Sequence, residues 1–260
     1  MDAPGLWWTF SDHLARLWRG APGLLEGRGD HWFCVLTCEQ HTDVNQCILV
    51  SGATEEDAEE VVSFIIDADV PAVVTVPFGS DESVTARLAA SEMKPAPLPE
   101  ALMWRDQQPI CPSTAFTVTR ARDQEDLERG IAVCAEGHAL DHGIAARVLA
   151  RDVSKAEDIS TWITWDGDEP VSVVWLTHGA RFGVWEMMTP PRHRRRGAAR
   201  AALTTALAES WESSTEGAFL WATPAGRPLY DSLDFRPLDQ FTVWVFRGDE
   251  AANLAIGQPG

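Results

Sequence analysis

The stretch Glu186-Met-Met-Thr-Pro-Pro-Arg-His-Arg-Arg-Arg-Gly-Ala-Ala-Arg-Ala-Ala-Leu203 decides how this chain is interpreted. A strand-like segment runs into two prolines and a basic turn, and Gly197-Ala198-Ala199 then opens an alanine-rich helix. The first amides of a helix have no acceptor within the helix and point outward at the positive end of its dipole. Small residues there let a phosphate approach the backbone. The stretch therefore predicts an anion site.

With these residues the sequence resembles the GNAT superfamily of N-acyltransferases, whose acetyl-CoA signature is Arg/Gln-x-x-Gly-x-Gly/Ala. Arg194-Arg195-Arg196-Gly197-Ala198-Ala199 fits that signature, and Thr189-Pro190-Pro191-Arg192-His193 resembles the family's lead-in to it. The resemblance implies that backbone amides of Arg195 to Arg200 hold the CoA pyrophosphate. It also implies that the strand ending at Met187, Met188 and Thr189 pairs with the pantetheine arm.

A second segment, Leu229-Tyr230-Asp231-Ser232-Leu233-Asp234-Phe235, resembles the family's L-Y-x-x-x-G-F, with Asp234 in place of the usual glycine. In the family the tyrosine that matches Tyr230 protonates the leaving CoA thiolate, and Tyr230 is the one tyrosine of this chain. Thr223 stands where the family often has an asparagine, so we expect a weaker or displaced CoA contact there. Simple packing is the alternative role for Tyr230.

The general base is less clearly indicated. Glu186 lies on the strand beside the expected acetyl position and could take the ammonium proton directly or through water. An exposed strand carboxylate without a role explains it equally well. His138 and His142 lie in the region that borders the acceptor site in the family, although a surface or capping role is favoured for each. His178, in a hairpin turn, is the weakest candidate.

Charge limits the classes of partner. The net charge is −18, from 39 acidic and 21 basic residues. This balance argues against nucleic acid, because phosphate neutralisation needs a surface rich in Lys and Arg. An acidic field weakly favours a cationic small substrate, and solubility explains it equally well. In so acidic a chain, arginines clustered beside Gly197-Ala198-Ala199 favour phosphate over a merely solvated turn.

The cysteines and the apolar runs bear on location and on metals. Five cysteines, an odd number, do not indicate a disulfide framework. Cys34, Cys38 and His41 could suggest a metal site, but their spacing favours buried small hydrophobic residues, and we expect no metal. No apolar run approaches the ~20 residues of a membrane helix, and the N-terminus has no basic n-region. We expect no membrane partner and a cytoplasmic location.

The predicted fold class is α/β, with a mixed-sheet GNAT domain and a smaller N-terminal α/β domain. The 260 residues suit one large domain or two ordinary ones. The first half repeats the order of strands and helices in shorter form, which leaves open a degenerate second GNAT-like unit. The predicted limits are a helical segment at 1–29, the α/β domain at 30–106, a linker at 107–114, the acetyltransferase domain at 115–247 and a tail at 248–260.

Periodicity and capping residues give the individual elements. Helices are predicted over the amphipathic stretch Trp7–Trp18, after the N-cap Thr54, after Ser80, after the N-cap Asp123, over 143–150, from Gly197 and over 227–233. Strands are predicted at 31–38, 46–51, 72–76, 98–104, 116–120, 159–165, 171–177, 182–188, 218–222 and 241–246, and residues 20–30 are predicted to form turns. Most tryptophans on these strands are expected in the core.

The sequence thus predicts an N-acetyltransferase that uses acetyl-CoA and an amine acceptor, a small molecule rather than a protein. The neutral amine would attack the thioester directly in a ternary complex, and strand amides near Met187 would polarise the carbonyl. Two alternatives fit the same motifs: a CoA-binding regulatory module without turnover, and a GNAT-fold enzyme that acts on another acyl-CoA.

Overall fold

The computed structural model describes residues 3–111 and 113–248, which form two compact units. The first unit holds the described chain up to Leu102, together with Ala222–Arg227 and the described residues from Pro237 to Gly248. The second holds Met103–Trp221 and Pro228–Arg236. The residues from Pro237 to Arg247, which the sequence assigned to the C-terminal domain, thus group with the first unit. Of the predicted tail, residues 249–260 lie outside the described part of the chain.

The described chain holds seven α-helices and twelve strands. The helices are α1 (Ala3–Trp18), α2 (Glu55–Ala68), α3 (Glu82–Ala90), α4 (Gln124–His138), α5 (His142–Leu149), α6 (Ala198–Ser210) and α7 (Arg227–Asp231). The strands are β1 (Leu25–Arg28), β2 (Trp32–Leu36), β3 (Asn45–Leu49), β4 (Ala72–Pro77), β5 (Lys94–Pro95), β6 (Glu100–Arg105), β7 (Thr117–Arg120), β8 (Ile159–Asp166), β9 (Glu169–Thr177), β10 (Arg181–Met188), β11 (Gly217–Ala222) and β12 (Arg236–Phe246).

The first unit is built on a mixed sheet with the strand order β1-β2-β3-β4-β12. The pairs β1–β2 and β2–β3 are antiparallel, β3–β4 is parallel, and β4–β12 is antiparallel. The parallel pair requires a crossover, which α2 supplies between β3 and β4. The apolar face of α2 is buried in the core of this unit, as its period predicts, at Ala58, Val61, Val62 and Ile65.

The second unit repeats this succession of three antiparallel strands, a crossover helix and a parallel strand. Its strand order is β7-β8-β9-β10-β11, in which β7–β8, β8–β9 and β9–β10 are antiparallel and β10–β11 is parallel. Here α6 forms the crossover, so the run β8-β9-β10-α6-β11 has the same topology as β1-β2-β3-α2-β4. This shared topology supports a second, degenerate unit of the same fold in the first half.

Three predictions at the level of elements need correction. Residues 20–30 are not turns throughout, because Leu25–Arg28 pairs with β2 as an edge strand. The cap of α3 is Asp81 rather than Ser80, since the Asp81 side chain accepts a hydrogen bond from Ser83 N. Cys34 and Cys47 lie opposite each other in the β2–β3 register and form a disulfide, which the odd cysteine count did not indicate.

The core predictions for the tryptophans hold at most positions. Trp162, Trp175, Trp185 and Trp244 are buried, whereas Trp165 and Trp221 are half-buried. Across the described residues, every helix is too short or too polar to pass through a membrane.

Candidate active site

The start of α6 consists of small residues, of which Gly197 is exposed, Ala199 half-buried and Ala198 buried. Gly197 precedes the helix with φ 90°, in the left-handed region that favours glycine. No side chain caps this end, and the first bond of the helix runs from Ala201 N to Gly197 O over 3.0 Å. The amides of Ala198, Ala199 and Arg200 precede this first donor and have no acceptor within the helix. An uncapped helix start with little side-chain bulk is suited to a phosphate.

The arginines around this turn are mostly held by neighbours within the second unit. Arg192 pairs with Glu136, Arg194 Nε donates to Thr189 O over 3.0 Å, and Arg196 pairs with Asp166 at 2.6 Å. Arg200 reaches Ser232 Oγ at 2.7 Å. Arg195, with φ 63°, forms no side-chain hydrogen bond or ion pair with any residue of the described ranges. Its exposed guanidinium is the cation of this cluster best able to meet a phosphate.

The topologically equivalent helix of the first unit has the opposite chemistry at its start. Thr54 and Asp57 form a capping box, in which Thr54 N donates to Asp57 Oδ2 over 2.8 Å. Glu55 and Glu56 complete an acidic first turn. A filled cap and three carboxylates disfavour a phosphate, so the start of α2 is less suited to an anion than the start of α6.

Strand β10 separates from β11 at the middle of its length. The parallel ladder runs from Arg181–Gly217 to Val184–Leu220 and ends there, although β10 continues to Met188. On its other side, β10 stays paired with β9 across a bulge between Trp185 and Met188. The last residues of β10, with Met187, thus have no partner on β11 within the described chain. Such an edge presents backbone donors and acceptors to an extended ligand.

Glu186 lies in this bulge with φ 46°, an uncommon conformation for a non-glycine residue. Its Oε2 lies 2.8 Å from His138 Nε2 and 3.5 Å from Cys134 Sγ, both on α4. Burial, the largest single effect, raises the pKa of Glu186, but close contact with His138 and Cys134 and the charge of Arg151 together outweigh burial, and the pKa is lowered. The carboxylate is therefore ionised near neutral pH.

Donor atoms of Cys134, His138 and Glu186 all lie within 4.8 Å of one another, an arrangement of ligand types that metals accept. The ion pair between His138 and Glu186 accounts for this proximity without a metal. The absence of a metal, which the sequence predicts, stays a prediction. Sequence reasoning gave His138 little weight and Cys134 none, although their spacing of one helical turn was the available signal.

Tyr230 is buried in α7, and its ring meets that of Phe235 edge-on with centroids 6.0 Å apart. Burial raises its pKa above the usual value, so the phenol stays protonated near neutral pH. Its hydroxyl forms no hydrogen bond with the residues that the structure describes. The ring is thus packed as a core residue while its hydroxyl proton is not committed to a partner.

The structure explains both departures from the family's pattern, at Asp234 and at Thr223. Asp234, at the position of the family's glycine, has φ 58°, which aspartate tolerates better than most residues. Its carboxylate lies 3.3 Å from Arg105 Nη1, so the turn is kept without glycine. Thr223 uses its Oγ1 to accept from Gly226 N at 3.2 Å and its carbonyl to accept from Arg227 N at 2.9 Å. The hydroxyl of Thr223 therefore stabilises the turn before α7.

The other candidate histidines differ from His138. His142 is exposed at the first residue of α5. His178 has its Nε2 2.7 Å from Ser160 Oγ, and burial, with the charge of Arg120, lowers its pKa to about 4. The structure thus brings one of the three predicted histidines to Glu186.

No protein-family model matches the chain, and no curated protein matches it. Solved structures do. A GCN5-related N-acetyltransferase from Kribbella flavida matches with a TM-score of 0.69 and 14% identity over 97% of this chain and 99% of that one. A GCN5-related N-acetyltransferase from Sphaerobacter thermophilus matches with a TM-score of 0.61 and 13% identity over 85% and 79%. A tandem GNAT protein from the clavulanic acid biosynthesis pathway matches with a TM-score of 0.54 and 12% identity over 90% and 86%.

These similarities extend over nearly the whole chain and confirm the GNAT fold that the sequence predicts. At such identities they show the fold alone, and the chemistry has to be argued from the residues of this chain.

Proposed function

We propose that this protein is an N-acetyltransferase that moves the acetyl group of acetyl-CoA to a primary amine. The observation that carries the proposal is the pairing, within the second unit, of an uncapped helix start at Gly197 with a strand edge that is open from Trp185 to Met188. The first suits a pyrophosphate and the second an extended amide chain, and CoA contains both in that order.

The cofactor residues follow from this assignment. Amides at the start of α6, from Arg195 to Arg200, hold the pyrophosphate, and the exposed Arg195 side chain adds a positive charge. The open edge of β10, at Met187, Met188 and Thr189, pairs with the pantetheine arm. Thr223 supports the turn before α7 rather than contacting CoA.

The reaction is a direct transfer. The amine loses a proton on the Glu186 side of β10, and its lone pair attacks the thioester carbon. Amides of the bulge near Met187 stabilise the developing oxyanion. The carbon–sulfur bond then breaks, and Tyr230, protonated near neutral pH, gives its proton to the thiolate. The second proton that the nitrogen loses restores Tyr230, so the products are the amide, CoA and one released proton.

The acceptor is proposed to be a small cationic amine. The net charge of −18 favours the approach of an ammonium ion. The acidic residues also repel the phosphates of nucleic acid, which are therefore not the partner.

A CoA-binding module without turnover is the second candidate. The observation that favours it is the buried Tyr230, because a raised pKa makes the phenol a weaker acid. In this candidate the protein binds acetyl-CoA and responds to it without transferring the acetyl group.

Titration calorimetry with acetyl-CoA, followed by thiol release over a panel of primary amines, tests the proposal. The proposed enzyme binds one acetyl-CoA per chain and releases thiol with at least one amine. Binding without release over the panel supports the module, and the absence of binding contradicts both candidates. Release with a longer acyl-CoA but not with acetyl-CoA would identify a different acyl donor.

A further inference from the structure

Side-chain hydrogen bonds at the end of β10 determine which groups there can still accept a hydrogen bond. We propose that the Thr189 hydroxyl accepts a hydrogen bond from an amide N–H of the pantetheine arm, and that Ser172 is the positioning residue that makes this hydroxyl an acceptor. The inference rests on the proposed acetyltransferase function and adds a side-chain contact with the acyl donor. Its structural basis is two contacts of Ser172 Oγ, with Met188 O at 2.9 Å and with Thr189 Oγ1 at 2.8 Å.

The register of three neighbouring strands brings these hydroxyl groups together. Ser172 of β9 lies opposite Thr164 of β8. On the other side of β9, Met188 pairs with Val173, so Thr189 comes opposite Ser172 one residue farther along. Directly opposite side chains lie on the same face of a sheet. Thr164, Ser172 and Thr189 therefore form one hydroxyl row within the second unit.

The hydroxyl row passes from the interior of the unit towards its surface. Thr164 and Ser172 are fully buried, whereas Thr189 is half-buried. Thr164 Oγ1 forms no hydrogen bond with any residue that the structure describes. Of the three residues in the row, Thr189 is the one that a ligand can reach.

The number of hydroxyl hydrogens fixes the direction of each bond. A carbonyl oxygen only accepts, so the contact with Met188 O uses the single hydroxyl hydrogen of Ser172. In the contact between the two hydroxyls, Ser172 is then the acceptor and Thr189 donates its own hydrogen. Thr189 has no second hydroxyl hydrogen to give. Both lone pairs of Thr189 Oγ1 remain, and a ligand that meets them has to supply the donor.

The backbone carbonyls beside this hydroxyl each accept a bond already. Met188 O accepts from Ser172, and Thr189 O accepts from Arg194 Nε over 3.0 Å. Each of these carbonyls has one lone pair left, whereas the Thr189 hydroxyl has two. The hydroxyl is therefore the acceptor with the larger unused capacity at this end of the strand.

The acyl donor has groups that match such an acceptor. The pantetheine arm carries two secondary amides, each with one N–H to donate. Thr189 lies between the open edge of β10 and the helix start at Gly197, where the arm and the pyrophosphate are proposed to bind. Without Ser172, the Thr189 hydrogen could turn towards the arm, and two donors would then face each other. Ser172 disfavours this arrangement by accepting that hydrogen.

The first test compares two ligands by titration calorimetry of the full chain. The ligands are CoA and 3′-phosphoadenosine 5′-diphosphate, which is CoA without the pantetheine arm. Thr189→Val keeps the shape of the side chain but leaves the amide N–H without its acceptor, so the Kd of CoA should rise about tenfold. The Kd of the shortened nucleotide should stay within about twofold, because the lost contact is to the arm. Thr189→Ser, which keeps the hydroxyl, should bind CoA like the wild type.

The second test addresses Ser172 with a control from the same row. Ser172→Ala should raise the Kd of CoA about threefold, because the Thr189 hydrogen is then able to turn towards the arm. The double variant Ser172→Ala/Thr189→Val should bind CoA no more weakly than Thr189→Val, since both changes act through one contact. Thr164→Val is the control and should leave both Kd values unchanged. Circular dichroism checks the fold of each variant.

The third test is kinetic. With an amine that the wild type acetylates, Thr189→Val should raise the KM of acetyl-CoA about tenfold and leave kcat within about twofold. The reason is that a contact with the arm, away from the reacting atoms, is equally strong in the ground state and the transition state. A fall in kcat with an unchanged KM would place the effect at the reacting groups and overturn the inference.

The outcomes separate this inference from the proposed function. If the Kd of CoA is unchanged in Thr189→Val, the inference is overturned and the acetyltransferase stands. Equal losses for CoA and the shortened nucleotide would mean a displaced loop, and an equal loss in Thr164→Val would mean a packing effect, and either result overturns it. If the wild type binds CoA but releases no thiol with any amine, the acetyltransferase fails while the calorimetry still decides the contact. No binding of CoA by the wild type removes both.

Discussion

Arg200 donates a hydrogen bond from Nη2 to Ser232 Oγ over 2.7 Å, and so joins the first turn of α6 to the turn after α7. Ser232 Oγ in turn donates to Leu229 O over 2.6 Å. The helix start proposed for the pyrophosphate and the short helix that carries Tyr230 are therefore linked through one pair of side chains.

Tyr230→Phe should lower kcat about 10²–10⁴-fold while the Kd of acetyl-CoA hardly changes. The ring is kept, so its packing on Phe235 and the fold persist, but the proton donor to the thiolate is lost. The rate loss should shrink as pH rises, because expulsion of the thiolate then depends less on an acid. Steady-state kinetics over pH, with calorimetry for binding, measure both quantities.

Because Tyr230 is the chain's one tyrosine, tyrosinate absorption reports on it alone. Burial raises its pKa, so we expect no tyrosinate signal in the folded protein at pH 10, where the denatured chain is about half ionised. Full activity in Tyr230→Phe would show that water or another residue protonates the sulfur.

Ala199→Glu should weaken acetyl-CoA binding at least about tenfold. Ala199 is the second residue of α6, and a carboxylate there stabilises the helix while it repels the pyrophosphate. Calorimetry measures the effect, and circular dichroism checks the fold. The matched change is Glu56→Ala at the second residue of α2, which should leave both the Kd and the stoichiometry of one CoA per chain unchanged. A second CoA in the wild type would contradict the assignment of the site to α6 alone.

Gly137→Ala should destabilise the second unit by roughly 1–3 kcal/mol. A methyl group at Gly137 would overlap the side chain of Met188 on β10, so either that side chain or α4 would have to shift. Denaturant unfolding measures the free energy. The double variant Gly137→Ala/Met188→Ala should recover part of the loss. Gly143→Ala is the control, since its new methyl group meets only the flexible ends of Asp141 and Arg147. Equal stability of Gly137→Ala and the wild type would disprove the close approach.

His178 should make the free energy of unfolding fall as the pH falls from about 6.5 to about 4. Burial and the charge of Arg120 lower the pKa of His178 to about 4 in the folded state. In that window the unfolded chain binds the proton and the folded one does not, so acid favours unfolding, by at most about 1.4 kcal/mol per pH unit.

The variant His178→Asn removes this contribution, and its stability deficit against the wild type should narrow from pH 7 to pH 5. Exposed His142→Asn serves as the control, because it should follow the wild type. A deficit for His178→Asn that is the same at pH 7 and pH 5 would show that His178 titrates alike in the folded and unfolded states.

The sequence by itself determined the features that are local along the chain. The capping box of Thr54 and Asp57, and the bare helix start at Gly197, depend on residues within one helical turn. The buried stripe of α2 follows from a period of 3.6 residues. The order of strands and crossovers then leaves few topologies, because connections are short and right-handed. The GNAT fold itself was predicted from the resemblance of the motifs around Gly197 and Tyr230 to that family, over about half of the chain.

Tertiary structure decided the contacts between distant segments. The bulge that turns Glu186 towards His138 depends on how β10 packs against α4, and Gly137 allows that close approach. The Cys34–Cys47 disulfide depends on the register of β2 and β3. The period of the hydrophobic residues and the helix-capping residues do not specify such pairs. Strand register and bulges are set by side chains that are far apart in sequence. The prediction of an anion site therefore rests on local sequence, whereas the approach of Glu186 to His138 is visible only in the fold.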